Sequence, residues 1–206
     1  MIRRCTLSTE ADLKIQKQLE SSNIRYHIPR YIVTTHSLTT GLYNKQFGDF
    51  TTGDLPTRIL VGLIGGDAYA GKLNKNPFNF KHFYLSSVDI LVNGKSAFGK
   101  LIPTNFENKQ YQQLYTQTMI CLGHYGSDGC DISVDDFDKG YTVFGADLTS
   151  SLCSGDDYRD PANNGNLEIA LTFSKALPET VDCIIYLEFE NTIDITAARK
   201  VIKDFA

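Results

Sequence analysis

Apolar and polar residues alternate with a period of two over much of this chain, and that alternation predicts β-strands. The run 58–64 (RILVGLI) is short, apolar and rich in β-branched residues. Pro56 bounds it upstream and Gly65-Gly66 downstream, which reads as a buried strand and its turn. Over 82–92 (HFYLSSVDILV), Phe83, Leu85, Ser87, Asp89 and Leu91 fall on one side, with Tyr84, Val88, Ile90 and Val92 on the other. Asn93-Gly94 follows at once; both residues tolerate positive φ, so the pair predicts a hairpin. Within 166–174, Leu167, Ile169, Leu171 and Phe173 point one way and Glu168 and Thr172 the other. Within 181–190, Val181, Cys183, Ile185, Leu187 and Phe189 share a face. The proline-containing segment KALPET joins these two strands and suits antiparallel neighbours. Further β-like stretches lie at 28–38, 141–148, 192–195 and 199–205.

Helical periodicity is sparse. Residues 109–122 place Tyr111, Leu114, Tyr115, Thr118, Met119 and Leu122 on one helical face. Residues 9–20 predict a polar helix anchored mainly by Leu13 and Leu19, and Asp135-Asp136-Phe137 predicts at most one turn. About nine strand signals, long loops and one or two short helices in the loops describe an all-β chain, an antiparallel jelly-roll β-sandwich. No βαβ alternation is present, which excludes doubly wound folds and the (β/α)8 barrel. Neither an internal repeat nor a low-complexity tract interrupts the pattern. The expected organisation is an N-terminal arm or linker over 1–24 and a single jelly-roll domain over 25–206.

Composition narrows the functional classes. The chain has 206 residues, 42% hydrophobic and 21% charged, which is enough apolar content for a packed core and too much for disorder. No apolar run approaches the roughly 18–20 residues of a membrane span. The N-terminal basic residues have no apolar region behind them, so no secretory signal is expected. A net charge of −4 argues against specific nucleic-acid binding, whose footprint is basic. Cys5, Cys121, Cys130, Cys153 and Cys183 are an odd set without a CxxC pair, and read as reduced thiols, several buried.

Candidate chemistry is weak at every position. Cys121 and His124, with Cys130 nearby, could form a nucleophilic dyad or part of a zinc site, but a fourth zinc ligand is missing and packing accounts for such cysteines. Asp128, Asp131, Asp135, Asp136 and Asp138 crowd one segment without the spacing of a calcium loop. Ser133 three residues before Asp136 reads instead as a helix N-cap with acids in the first turn. GLIGGDAYAG (Gly62 to Gly71) has neither phosphate-loop spacing nor a helical pattern behind it, so its glycines read as turn residues. NPFNF (Asn76 to Phe80) is either an exposed aromatic loop for a partner or a loop folded over the end of the sandwich. His36 and His82 lie in strand-like stretches, where a structural role is usual, and His27 and His124 lie in unrelated contexts. Asn163-Asn164-Gly165 predicts an exposed loop, and charge reversal at Arg58 or in NPFNF is expected to leave the domain folded. No catalytic, cofactor-binding or metal-ligating residue is assigned, and no enzyme activity is expected.

Several strings carry a family resemblance. The stretch LPTRILVGLIGGDAYAGKLNKNPFNFKHFYLSSVDILVNGK (Leu55 to Lys95) is similar to the C-terminal half of the hexon-like major capsid proteins of Maverick/Polinton elements and adintoviruses, with their uncharacterised copies in animal genomes. GYTVFGADLT (Gly140 to Thr149), GNLEIALTFSKALPETV, YLEFENTIDITAARKVIKDF and RYHIPR (Arg25 to Arg30) extend the resemblance over about residues 3–205. The resemblance implies one half of a double jelly-roll capsid subunit without catalytic residues or cofactors. It implies association with other copies and with the preceding jelly-roll half in a trimeric capsomer. Contact with minor capsid or vertex proteins, and a place in a virion capsid assembled inside the host cell, are implied in the same way. The alternative is a single jelly-roll binding module, a minor capsid vertex protein or a host-domesticated copy that binds a protein or glycan.

Overall fold

A computed structural model describes residues 5–48, 50, 53–124, 131–152, 161 and 163–203. The described strands, in chain order, are β1 (Ile24–Leu38), β2 (Asn44–Phe47), β3 (Arg58–Gly65), β4 (Leu85–Val92), β5 (Lys95–Ser96) and β6 (Ile102–Pro103). They continue with β7 (Val143–Asp147), β8 (Leu167–Phe173), β9 (Val181–Ile195) and β10 (Val201–Lys203). The helices are α1 (Thr9–Ser21), α2 (Gly66–Tyr69), α3 (Gln112–Cys121) and α4 (Val134–Phe137). The chain divides into two compact units, Tyr31–Phe189 and the terminal segments Met1–Arg30 with Glu190–Ala206.

In the larger unit the strands form two sheets, ordered β1-β9-β3-β7 and β2-β8-β4-β5, with β6 also on β4. Successive long strands alternate between the sheets, so the chain winds around one apolar interior; that winding is the jelly roll. The interior is made by the period-two positions. Leu167, Ile169, Leu171 and Phe173 of β8, and Val181, Cys183, Ile185, Leu187 and Phe189 of β9, are all buried. Ile59, Val61 and Leu63 of β3 join them with Val88 and Ile90 of β4. The Asn93-Gly94 hairpin forms as expected: φ is 51° and 75°, and Val92 faces Lys95.

Several expectations are corrected. KALPET does not join neighbours, because β8 and β9 lie in different sheets. Both strands bury one face in the same interior, and alternation is blind to which of two opposed sheets a strand joins. The stretch 192–195 is not a separate strand but the end of the 15-residue β9.

Strand β4 starts at Leu85 rather than at His82. Phe83 and Tyr84 adopt φ of 45° and 57°, and Leu85 N donates to His82 O at 2.8 Å, so they occupy the two central positions of a tight turn. Bulky residues at positive φ are strained. Here Phe83 is buried in the core, and the Lys175 ammonium sits 4.1 Å over the Tyr84 ring. A register shift between Leu85 and Ser87 then places Leu85 inside together with Val88, three residues on, and with Ile90. The extra residue of this bulge reverses the face assigned to Leu85 by strict alternation.

The smaller unit is built from the terminal segments. Ser8 caps α1, its Oγ accepting from Ala11 N at 3.4 Å, and Glu10 pairs with Lys14 at 2.8 Å. No α1 residue is buried, and Leu13, expected as an anchor, is 59% exposed. Strand β10 pairs antiparallel with β9, Val201 opposite Ile195. Arg25 grips Asp194 through two hydrogen bonds of 2.9 and 3.0 Å and holds that carboxyl below the usual carboxylate range. Arg30 Nε donates to Asn191 Oδ1 at 2.8 Å.

Candidate functional site

Helix α3 presents the first chemical candidate and ends it as structure. Gly123, at φ 74°, donates to Ile120 O at 2.9 Å, and His124 N donates to Met119 O at 2.9 Å, the paired bonds of a Schellman C-cap. Cys121 is buried, its Sγ 3.8 Å from Ile59 O, and burial pushes its thiol pKa up to about 12. A thiol so protonated is a poor nucleophile. Cys130 and Cys153 lie outside the described residues; Cys183 is buried with its pKa likewise pushed up to about 12, and Cys5 is exposed.

The acidic segment behaves as a cap. Ser133 Oγ accepts from Asp136 N at 3.2 Å and opens α4, whose first turn carries Asp135 and Asp136. Asp128 lies outside the described residues. Among the described residues no three histidine, cysteine or carboxylate side chains lie together as a metal site.

His82 stands beside this segment, stacked on Phe106 at 4.2 Å, with Nδ1 accepting from Tyr84 N at 3.0 Å. Burial lowers its pKa, against the opposing pull of Asp138. The stack continues from Phe106 to Tyr111 at 4.9 Å, and Tyr111 meets Phe137 at 5.9 Å. This histidine packs as an aromatic side chain in a turn, not in a strand. His36 does lie in β1, its ring 5.2 Å from Phe47.

The glycine-rich stretch serves packing more than turning. Gly62 and Gly65 lie within β3, a correction to the reading of turn glycines, and Gly66 opens the one-turn α2; behind the stretch, KLNKNPFNF is loop as expected. A Cβ on Gly62 would lie 2.6 Å from Phe80 Cδ1, and one on Gly65 2.7 Å from Glu179 Oε1. Gly71, at φ 79°, is a turn glycine.

NPFNF divides between folding back and exposure. Phe80 folds back over Gly62, with its N donating to Gly140 O at 2.9 Å and its O accepting from Thr142 N at 3.1 Å. Phe78 points away, 75% exposed, with its N donating to Asn76 Oδ1 at 2.9 Å. Leu73, earlier in the same loop, is fully exposed.

A cleft of about 420 Å³ near this loop was not legible in the sequence; Ser37, Asp67, Tyr69, Glu179, Thr180 and Asp182 line it. Asp182 is buried and accepts from Ser37 Oγ, while Asp67 pairs with Lys72 at 2.7 Å. Its carboxylates come from two segments far apart in sequence, Asp67 from one and Glu179 and Asp182 from the other, so no local motif announces them. Arg58 also departs from expectation. It pairs with Glu188 at 3.6 Å with both side chains mostly buried, so charge reversal there would set two carboxylates together inside a low-dielectric pocket. Asn163 and Asn164 are exposed as expected, and Asn163 O accepts from Leu55 N at 2.8 Å.

No family model matches the chain. F54H12.2, an uncharacterized protein of Caenorhabditis elegans, is 28% identical over 203 residues, or 96% of this chain and 47% of that protein. The chain therefore spans about half the length of the curated relative it matches. VP54 of PBCV-1, as fitted into a cryo-EM reconstruction of the virophage Sputnik, is similar with a TM-score of 0.57 at 13% identity. That match covers 97% of this chain and 55% of VP54. The mavirus major capsid protein gives a TM-score of 0.48 at 14% identity, covering 89% of this chain and 41% of that one. With its two opposed antiparallel sheets wound in alternation, the chain has a jelly-roll fold similar to that of VP54.

Proposed function

We propose that this chain is a structural capsid domain, one jelly-roll half of a double jelly-roll major capsid protein of the Maverick/Polinton and adintovirus type. The observation that carries the reading is the likeness to VP54, which takes in nearly all of this chain and about half of that protein. The curated relative, also matched over about half its length, supports it. In this reading residues 1–24 are an arm or linker and 25–206 the jelly-roll domain. The domain associates with the preceding jelly-roll half and with other copies in a trimeric capsomer, meets minor capsid or vertex proteins, and resides in a virion capsid assembled within the host cell. It performs no catalysis; shells close by symmetric repetition of contacts.

The test begins with the coding sequence upstream of Met1. An in-frame stretch of similar length with alternating strands, co-expressed with this chain, is expected to give threefold particles by electron microscopy. A stop codon directly upstream, with no assembly on expression, overturns the reading. The binding-module alternative, a vertex protein or domesticated copy, is favoured by one observation: the hydrogen-bonded loop that holds Leu73 and Phe78 out in solvent. Retention of a glycan or protein ligand that is lost in Phe78→Ala would support it.

A further inference from the structure

His82 is tied to the turn that follows it in a way that only its neutral form allows. Its carbonyl accepts from Leu85 N at 2.8 Å and its Nδ1 from Tyr84 N at 3.0 Å, so backbone and side chain close the same turn. A ring nitrogen that accepts carries no proton, which places the neutral imidazole's proton on Nε2. The turn depends on such bonds. Phe83 and Tyr84, at φ 45° and 57°, hold a conformation that bulky residues leave when nothing restrains them. The His82 ring is itself held in place, parallel to Phe106 at 4.2 Å and edge-on to the Tyr84 ring at 5.6 Å.

An acceptor for a second state stands beside it. Asp138, which ends α4, buries its Oδ1 without a hydrogen-bond partner, an arrangement that folded proteins seldom keep without a use for it. Its charge reaches both His82 and Tyr111. The other charged groups around the turn have contacts of their own. Lys175 lies over the Tyr84 ring and pairs with Glu107, Lys109 pairs with Asp135 at 3.6 Å, and Lys81 lies 6.0 Å over the Phe83 ring.

We propose that His82 is a proton-operated latch: neutral, it holds the Phe83–Tyr84 turn closed, and on taking up a proton from solvent it releases that turn, with Asp138 as the counter-charge. The added proton binds Nδ1, so two N–H groups then face each other and the bond from Tyr84 N is lost. Phe83 and Tyr84 relax toward negative φ. That relaxation pulls on what the turn anchors: Phe83 in the core, the bulge between Leu85 and Ser87 that starts β4, and the Lys175 contact. Burial holds His82 below its ordinary value of 6.5, with Asp138 opposing. The unfolded chain therefore takes up this proton first. The stability that the latch contributes is complete above about pH 6.5 and is lost as pH falls through the lower folded value. Acid opens it. The latch stands independently of the capsid reading, since every group in it belongs to one chain.

Nuclear magnetic resonance of the full chain from about pH 8 to about pH 4, the histidine range extended downward for burial, tests it. The His82 ring is expected to carry its neutral proton on Nε2 and to titrate below 6.5. The Tyr84 and Leu85 amide resonances are expected to move with the same midpoint. His82→Asn supplies an oxygen that accepts from the second following N–H and does not titrate in this range, so it is expected to keep the turn and flatten the Tyr84 amide response. Asp138→Asn is expected to weaken proton binding at His82 at least about threefold. A neutral ring protonated on Nδ1, a Tyr84 amide that ignores the His82 titration, or one that responds equally in His82→Asn overturns the inference. An unmoved His82 midpoint in Asp138→Asn overturns it as well.

Discussion

Gly62→Ala tests whether the NPFNF loop is locked onto the sheet. Gly62 lies inside β3 without a left-handed φ, so its backbone conformation does not call for glycine. What requires it is the Phe80 ring, whose Cδ1 and Cε1 would lie 2.6 and 2.9 Å from an added methyl. Carbon atoms rest at about 3.5–4.0 Å, so the ring must retreat by about 1 Å. Its backbone resists: Phe80 N bonds to Gly140 O at 2.9 Å, and Lys81 N to Leu63 O at 2.9 Å. Overpacking of this sort costs about 1–3 kcal/mol. Against that, alanine regains about 0.5–1 kcal/mol over glycine within a strand. The net expectation is a loss of about 1–2 kcal/mol, read as a lower urea midpoint with an unchanged slope. Phe80→Ala destabilises alone, yet adding Gly62→Ala to it should cost nothing further, because the methyl then occupies vacated space. A double-mutant cycle should give a coupling of about 1 kcal/mol or more. If Gly62→Ala is as stable as the native chain, or the two changes are additive, the loop is not seated as described and its aromatics belong to a free surface.

Other outcomes follow from the same geometry. Gly145→Ala should be costlier than Gly62→Ala, since its methyl would meet the Ile59 carbonyl oxygen at 2.1 Å, and a ladder backbone cannot swing aside; thermal melts of the two variants give the order. Ser133→Ala removes the acceptor for Asp136 N and should cost about 0.5–1 kcal/mol, the lower part of the N-cap range, because α4 is short and Ser133 exposed. In the native protein an alkylating reagent near pH 8 should label Cys5 and spare Cys121 and Cys183 until unfolding, as peptide mass spectrometry would show. Cys121 and Cys183 keep their protons to about pH 12 when folded, whereas once unfolding releases them they lose theirs from about pH 9. The folded state therefore binds more protons between those limits. Stability is expected to fall with rising pH there, by about 1.4 kcal/mol per pH unit for each thiol. Urea midpoints that stay level over that range would contradict the burial of both groups.

Local chemistry alone determined much of this protein. A short apolar run bounded by Pro56 and Gly65-Gly66 places β3, and period-two alternation places β8 and the buried face of β9, because apolar side chains must leave water. Asn93-Gly94 sets its hairpin through the φ values its residues tolerate, and Ser133 and the face of α3 follow from capping and from the 3.6-residue repeat. The long-range resemblance in Leu55 to Lys95 pointed to the jelly roll that the strand order then displays. Other features were decided only by tertiary structure. Which sheet a strand joins depends on the partner across the core, so KALPET could not reveal that β8 and β9 face each other from opposite sheets. Bulky Phe83 and Tyr84 hold a strained turn because the core and Lys175 reward it, and the following bulge puts Leu85 inside. Gly62 is dictated by a ring eighteen residues away. Arg58 reads as a surface cation until Glu188 is placed beside it.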